Sequence, residues 1–265
     1  MSNPELTKFD NWLKLQGKAK NTRLSYCQRV NDFVSHVTEL SQDNIDTYFL
    51  SLQDKFKNKT VNCYKDAISS YLTWKQSELT TPPSLKEPKT IPDAMTLEEF
   101  EKQVVPVVEV EFRDPDKIKA IFYLLFYSGL RPSEIVALKR KDIDLENHQG
   151  KVYRQKTGDE FIFLFNDKVK QLLKIYFLIE EEKKNAFNTN TRAIGRMCEK
   201  IKKHFPSFNL RPYLFRHSSA THLLDEKFNL LEIQEFLGHK NSRSTEKYLK
   251  ITKERIKQKY LERIK

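Results

Sequence analysis

The chain has 265 residues, 38% hydrophobic and 31% charged, with a formal net charge of +11. Mixed charge and recurring apolar residues exclude a disordered chain, and the length allows one large domain or two ordinary ones. The excess of cations fits a polyanionic partner, most simply nucleic acid, or else lysine used for solubility. Cys27, Cys63 and Cys198 are far apart and odd in number, so neither a disulfide framework nor a paired-cysteine zinc site follows. The N-terminus is polar, unlike a signal peptide, and the longest apolar run, Ile121 to Tyr127, is far shorter than the roughly 20 residues that span a bilayer. A cytoplasmic protein with no membrane partner is expected.

From Pro4 to Gln76 the spacing is helical. Leu6, Phe9, Trp12, Leu13 and Leu15 form one apolar stripe. Asn21-Thr22 can cap a second helix carrying Leu24, Tyr26, Val30, Phe33, Val34 and Val37. Ser41 opens a third, and Asn58 to Trp74 forms a fourth, which together predict a small helical bundle. Lys18, Lys20, Arg23 and Arg29, then Lys55, Lys57, Lys59 and Lys65, cluster between the stripes, and Lys18-to-Arg23 and Lys55-to-Lys59 each sit at a joint beside a helix N-terminus. Helix N-termini there favour phosphate, so these are either DNA-gripping turns or solvated basic ones. Thr80 to Pro92 carries four prolines, which forbid helix and sheet interiors. The expected domains are residues 1–79, a linker at 80–93, and residues 94–265.

In the second domain Thr96 and Glu99 have capping-box spacing. Lys117 to Tyr127 is apolar on most sides, which predicts a buried helix stopped at Ser128-Gly129. Arg131-Pro132-Ser133-Glu134 starts the next helix, with Pro132 and Glu134 suited to its first turn. Arg131 is thus set in a tight junction, either idle in solvent or fixed for bidentate phosphate contact. Between Asp142 and Phe165 the period changes to that of two strands, with Lys156 at the hairpin tip. Helices are predicted over Asp167–Glu182 and Thr191–His204. Farther on, Tyr213, Arg216 and His217 share one helical side at i, i+3 and i+4. Leu230 to Leu237 forms a short helix stopped by Gly238, with His239 directly after it. Asn241 or Ser242 can cap a helix carrying Thr245 and Tyr248, and Thr252 to Ile264 is amphipathic. His222 is read as a packed helix residue, because its i, i+5 spacing from His217 is not that of a helical metal pair.

Four boxes occur in order: SGLRPSEIVALKRKDID, QKTG, YLFRHSSATHLL and LGHKNSRSTEKYLK. They resemble those of the tyrosine recombinase (phage integrase) family, from about Met95 to Tyr248. The helical segment and proline run resemble that family's core-binding domain and interdomain connection. The resemblance implies a mainly α fold with a small antiparallel sheet or hairpin in the second of two domains, an α+β arrangement. It implies site-specific DNA cleavage and rejoining through a covalent 3′-phosphotyrosyl intermediate.

By that resemblance Arg131 and Arg216 match the two arginines that clamp the scissile phosphate, where fixed forked cations stabilise the charge of the transition state. Lys156 matches the general acid that protonates the departing 5′ oxygen. His239 matches a phosphate-binding position, and Tyr248 the nucleophile. Glu134 matches an acidic position expected to orient Arg131 or Lys156. His217 is expected to support Arg216. The family usually has a histidine three residues before its second arginine. This chain has Tyr213 there, a poor base at neutral pH given tyrosine's reference pKa of about 10. A YxxR box resembles archaeal integrases. No metal and no cofactor are expected, because arginines and lysine neutralise the phosphate. The implied partners are double-stranded DNA and further copies of the chain, a tetramer at the synapse of two duplexes in the nucleoid. The last helix packs either on a neighbouring protomer or on its own domain. Two alternatives remain at this point: DNA relaxation like that of a type IB topoisomerase, and a non-catalytic DNA-binding protein on a decayed integrase fold.

Overall fold

The computed structural model describes residues 4–87, 93–154, 158–179, 185–205 and 209–238. By its internal contacts the chain divides into two units, Met1–Lys89 and Thr90–Lys265. Among the described residues no helix is long and apolar enough to cross a membrane.

The first unit holds four helices, α1 (Pro4–Leu15), α2 (Lys20–His36), α3 (Gln42–Lys55) and α4 (Asn58–Trp74). Phe9, Leu13, Val30, Phe33, Ile45, Phe49, Ala67 and Ile68 are buried at its centre. Phe9 is ringed by Trp12, Tyr71 and Trp74, with centroids 5.5–6.0 Å away. Ser41 caps α3 by accepting from the Asn44 N–H. The expected apolar stripes were too generous at two places. Leu15 is 85% exposed and Leu24 59% exposed. Each lies six residues from a buried neighbour, Phe9 and Val30, which at 3.6 residues per turn is about 120° around the helix. The expected Asn21-Thr22 cap also moves. The helix starts at Lys20 with Ala19 as N-cap and no side-chain bond, so Asn21 and Thr22 lie inside the first turn.

Residues 77–87 contain neither helix nor strand. They lie along α3 and α4 through side-chain bonds to their backbone. The Asn62 amide donates to the Leu85 carbonyl at 2.9 Å and accepts from its N–H at 2.8 Å. Gln42 treats Thr80 in the same two-way fashion. Prolines remove main-chain donors here, and the amides satisfy the groups that remain.

The second unit starts with a capping box, Thr96 with Glu99, on α5 (Leu97–Glu99). A π turn, Phe100–Val104, leads into α6 (Val105–Glu111). Next comes α7 (Pro115–Ser128), buried from Ile118 to Phe126 on nearly every side. Phe100 stacks on Phe126 at 4.9 Å and meets Phe215 edge-on at 5.8 Å, which locks α7 between the π turn and a later helix. After α8 (Pro132–Ala137) and a 3-10 turn, three antiparallel strands follow in the order β1 (Ile143–Asp144), β2 (Gln149–Arg154) and β3 (Asp159–Leu164). Two strands were expected; β1 has two residues, too few for an alternation to register. In the hairpin Arg154 pairs with Asp159 and Val152 with Phe161. Then come α9 (Asp167–Ile179), α10 (Thr191–Lys202), α11 (Pro212–Asp225) and α12 (Leu230–Leu237). His222, half-buried, packs its ring near those of Phe126 and Tyr127.

Candidate active site

The site grows from the turn between α7 and α8. Gly129 ends α7 in the left-handed region at φ +60. A side chain there would collide with Leu237 and crowd the Ser219 hydroxyl. Leu130 is buried, and Arg131 follows as the N-cap of α8. Glu134, three residues into the helix, reaches back. Its Oε2 accepts from the Arg131 N–H and its Oε1 from Arg131 Nη1, both at 2.7 Å. One carboxylate thereby caps the helix and aims the guanidinium, which keeps 32% of its side-chain surface exposed.

Arg216 sits in the middle of α11 and is buried. Its Nη1 donates to the Gly129 carbonyl, and its Nη2 donates to the Leu237 carbonyl at 2.7 Å. The first acceptor lies two residues before Arg131 and the second at the C-terminal end of α12. A guanidinium held by two main-chain carbonyls has its plane fixed by backbone.

A third arginine completes the arrangement, and the sequence reading missed it. Arg154, the last residue of β2, is only 7% exposed. Its Nε donates to Glu134 Oε1 at 2.8 Å, its Nη1 to the Gly238 carbonyl at 2.9 Å, and its Nη2 to the Leu237 carbonyl at 3.2 Å. Its guanidinium carbon lies 3.4 Å from the centroid of the Phe161 ring. Burial holds this guanidinium below the ordinary arginine range; Glu134 opposes that shift and the like charge of Arg131 adds to it. The signal was present in the strand: Gly150, Val152 and Arg154 share the buried face of β2. A cation in line with Val152 must find partners inside.

The network therefore runs from Arg131 through Glu134 Oε1 to Arg154, then through the Leu237 carbonyl to Arg216. Three guanidinium groups share it with one carboxylate. Such an excess of fixed positive charge, two members of it buried, suits an anion with several oxygens. Among the described residues, no group of three or more His, Cys, Asp and Glu side chains gathers that could hold a metal ion.

The other expected residues divide. Lys156, His239 and Tyr248 lie outside the described residues, as do Asn241, Ser242 and the Thr252–Ile264 segment. Tyr213 stands in the first turn of α11, 52% exposed, while Arg216 one turn on is buried and His217 is half-buried. In the first unit Lys18, Lys20, Lys55, Lys57 and Lys59 are exposed. Arg23 differs from them, because its Nη1 lies 3.3 Å from Asp10 Oδ2 and its side chain is largely covered. Near the second cluster, exposed Phe56 stacks on Tyr64, and Arg29 lies 5.4 Å from the same ring.

A mostly helical fold with a three-stranded sheet thus carries an arginine cluster fixed by backbone carbonyls, a frame suited to holding an anion. Comparison with known proteins makes the class specific. The Phage integrase family matches residues 101–255, more than half of the chain. The tyrosine recombinase XerA of Thermococcus onnurineus (strain NA1) is 27% identical over 271 residues, which covers 96% of this chain and 93% of that protein. A crystal structure of XerA recombinase superposes with a TM-score of 0.56 at 21% identity, covering 99% of each chain. A λ integrase(75-356) dimer bound to a COC′ core site gives a TM-score of 0.73 at 15% identity, covering 92% of this chain and 93% of that one. The chain belongs to the phage integrase family, the tyrosine recombinases.

Proposed function

We propose that this chain cleaves and rejoins DNA strands at specific sites through a covalent 3′-phosphotyrosyl intermediate. The Tyr248 phenol releases its proton to solvent, the surrounding cations favouring phenolate; its oxygen attacks the scissile phosphorus, and the bond from phosphorus to the 5′ oxygen breaks. Lys156 gives that oxygen its proton, because an alkoxide leaves poorly. The phosphodiester energy is kept in the tyrosyl ester, so a second 5′-hydroxyl can reverse the step on a new partner strand. Arg131 and Arg216 hold the non-bridging oxygens, and His239 adds a hydrogen bond to them. Glu134 orients Arg131 and takes no proton in the cycle, and His217 supports Arg216. Tyr213 acts by hydrogen bonding rather than as a base. The exposed lysines of the first unit, Lys18, Lys20, Lys55, Lys57 and Lys59, grip the phosphate backbone, with Arg23 beside them. Four copies of the chain on two duplexes carry out the exchange.

The observation that carries this reading is the pinning of Arg216 by the Gly129 and Leu237 carbonyls, in one network with Arg131. Catalysis of phosphoryl transfer without a metal needs cations that do not reorganise as charge develops. Neither the topoisomerase alternative nor a decayed, non-catalytic fold is favoured by the relatives found.

The test uses a duplex site selected by binding from random sequences and nicked beside the crossover, so that cleavage traps the adduct. The wild-type chain should become covalently joined to DNA, and Tyr248→Phe should form no adduct. Persistence of the adduct in Tyr248→Phe would move the nucleophile elsewhere. A sulfur leaving group in place of the 5′ oxygen should restore cleavage to Lys156→Ala, because a thiolate departs without a proton.

A further inference from the structure

We infer that Arg154 is a positioning residue for strand cleavage: it sets the aim of Arg131 and the exit of the chain from α12 as one unit. The inference rests on the recombinase reading above. Each of its three guanidinium nitrogens donates within the protein, to Glu134, to Gly238 and to Leu237. With Nε and both Nη groups so engaged and its plane packed over Phe161, it acts through its partners rather than on substrate.

Those partners are what give it reach. Glu134 Oε1 is the same oxygen that receives Arg131 Nη1, so a shift of Arg154 re-aims Arg131. The Leu237 carbonyl also receives Arg216 Nη2, so the same shift reaches the second clamp arginine. Gly238 is left-handed at φ +58, and a Cβ there would collide with the Arg154 guanidinium. The glycine is thus required twice, by its backbone and by the arginine lying against it. In the sequence Arg154 stands two residues before Lys156, and Gly238 stands directly before His239. One buried side chain therefore ties together the elements that lead into all four boxes.

A positioning role and a merely structural one differ in what they move. Loss of positioning lowers the cleavage rate at saturating DNA and leaves DNA affinity unchanged. A structural defect moves the melting temperature and DNA affinity together. The experiment measures the single-turnover rate of adduct formation on the nicked duplex, DNA affinity and thermal unfolding for the full chain, Arg154→Met and Arg154→Lys. Arg154→Met keeps the stem and removes every donor. Its rate should fall between about tenfold and a hundredfold, the range expected when a reacting group is displaced by an ångström or so. Its affinity should stay within about twofold of wild type, since counterion release by surface cations dominates affinity. Arg154→Lys keeps the charge opposite Glu134 without the fork and should recover part of the rate. It also serves as the reading should Arg154→Met fail to fold.

A folded Arg154 variant that cleaves at the wild-type rate overturns the inference. So does a rate that falls only in step with affinity. Should the wild-type chain itself form no adduct, the recombinase reading fails instead, and the two failures are distinct.

Discussion

The two units bury different things. Among the described residues, the buried polar and charged side chains are Ser128, Glu134, Arg154, Arg216, Ser218 and Ser219, and every one belongs to the second unit. The first unit closes on apolar side chains and tyrosines, whose hydroxyls reach carboxylates nearer the surface: Tyr48 to Asp32 at 2.7 Å and Tyr71 to Glu5 at 2.8 Å. A helical bundle of this size holds together by apolar burial. Burying guanidinium groups is a poor way to gain stability, because desolvation offsets much of the attraction. On the proposed reading, the second unit keeps them for what a fixed cation does to a phosphate. The contrast separates a core that only has to be stable from one that also has to be charged.

The sharpest way to break that contrast is Arg216→Ala. Adduct formation should fall by at least about 10²-fold, the scale on which a preorganised donor acts on a developing anion. The variant should also lose stability, on the order of 1–3 kcal/mol, because the Gly129 carbonyl is left buried without this donor. A variant that keeps full cleavage would show that the buried charge is structural after all. Next comes Gly238→Ala. The left-handed backbone alone costs about 1–2 kcal/mol for a residue with a Cβ, and displacement of Arg154 adds to it. Thermal unfolding and single-turnover cleavage should both decline, and an unchanged melting temperature would refute the close approach.

Tyr48→Phe probes the other side of the comparison. It removes one hydrogen bond to Asp32 and should cost about 1 kcal/mol, with the cleavage rate at saturating DNA untouched. Both tryptophans, Trp12 and Trp74, lie in the first unit, so their fluorescence in a urea titration reads this loss directly. The smallest effect is one of pH. The bond from Lys75 holds the Glu5 carboxyl below its ordinary 4.5, with Tyr71 adding to the shift and burial opposing it. A carboxylate depressed on folding contributes stability above its unfolded value and loses it as the pH falls through the folded one. Acidification from about pH 5 to about pH 3 should therefore destabilise wild type slightly more than Glu5→Gln, and equal slopes would remove Glu5 from the account. The effect is small because both partners are more than one-third exposed.

Much of this architecture was legible because its signals are local. Ser41, the Thr96–Glu99 box, Gly129, Pro132 and Gly238 each mark an element boundary by a chemistry confined to a few residues. The place of Glu134 in the first turn of α8 was readable for the same reason, while its pairing with Arg131 was one of two that the family resemblance implied. What stayed hidden is non-local. The acceptors of Arg216 are main-chain oxygens 87 and 21 residues away, and no side-chain pattern announces a carbonyl. Arg154 stands in line with Gly150 and Val152 on the inner face of a strand, a local signal, but its carbonyl acceptors lie 83 and 84 residues away. The Leu15 and Leu24 errors have a geometric source: six residues looks periodic and is a third of a turn out.

The oxygens that hold Arg216 belong to the backbone at Gly129 and Leu237, and this has a genetic consequence. No single-codon change at either position deletes its acceptor, since every amino acid carries a carbonyl. What such a change can do is move that carbonyl, by strain at 129 or by altered packing at 237. The arginine end of each bond can be erased by one mutation, whereas the other end can only be displaced. Variation along this stretch should thus be graded in its effects at the acceptors and abrupt at the donors. A deep mutational scan scored only for survival of function would separate these two patterns.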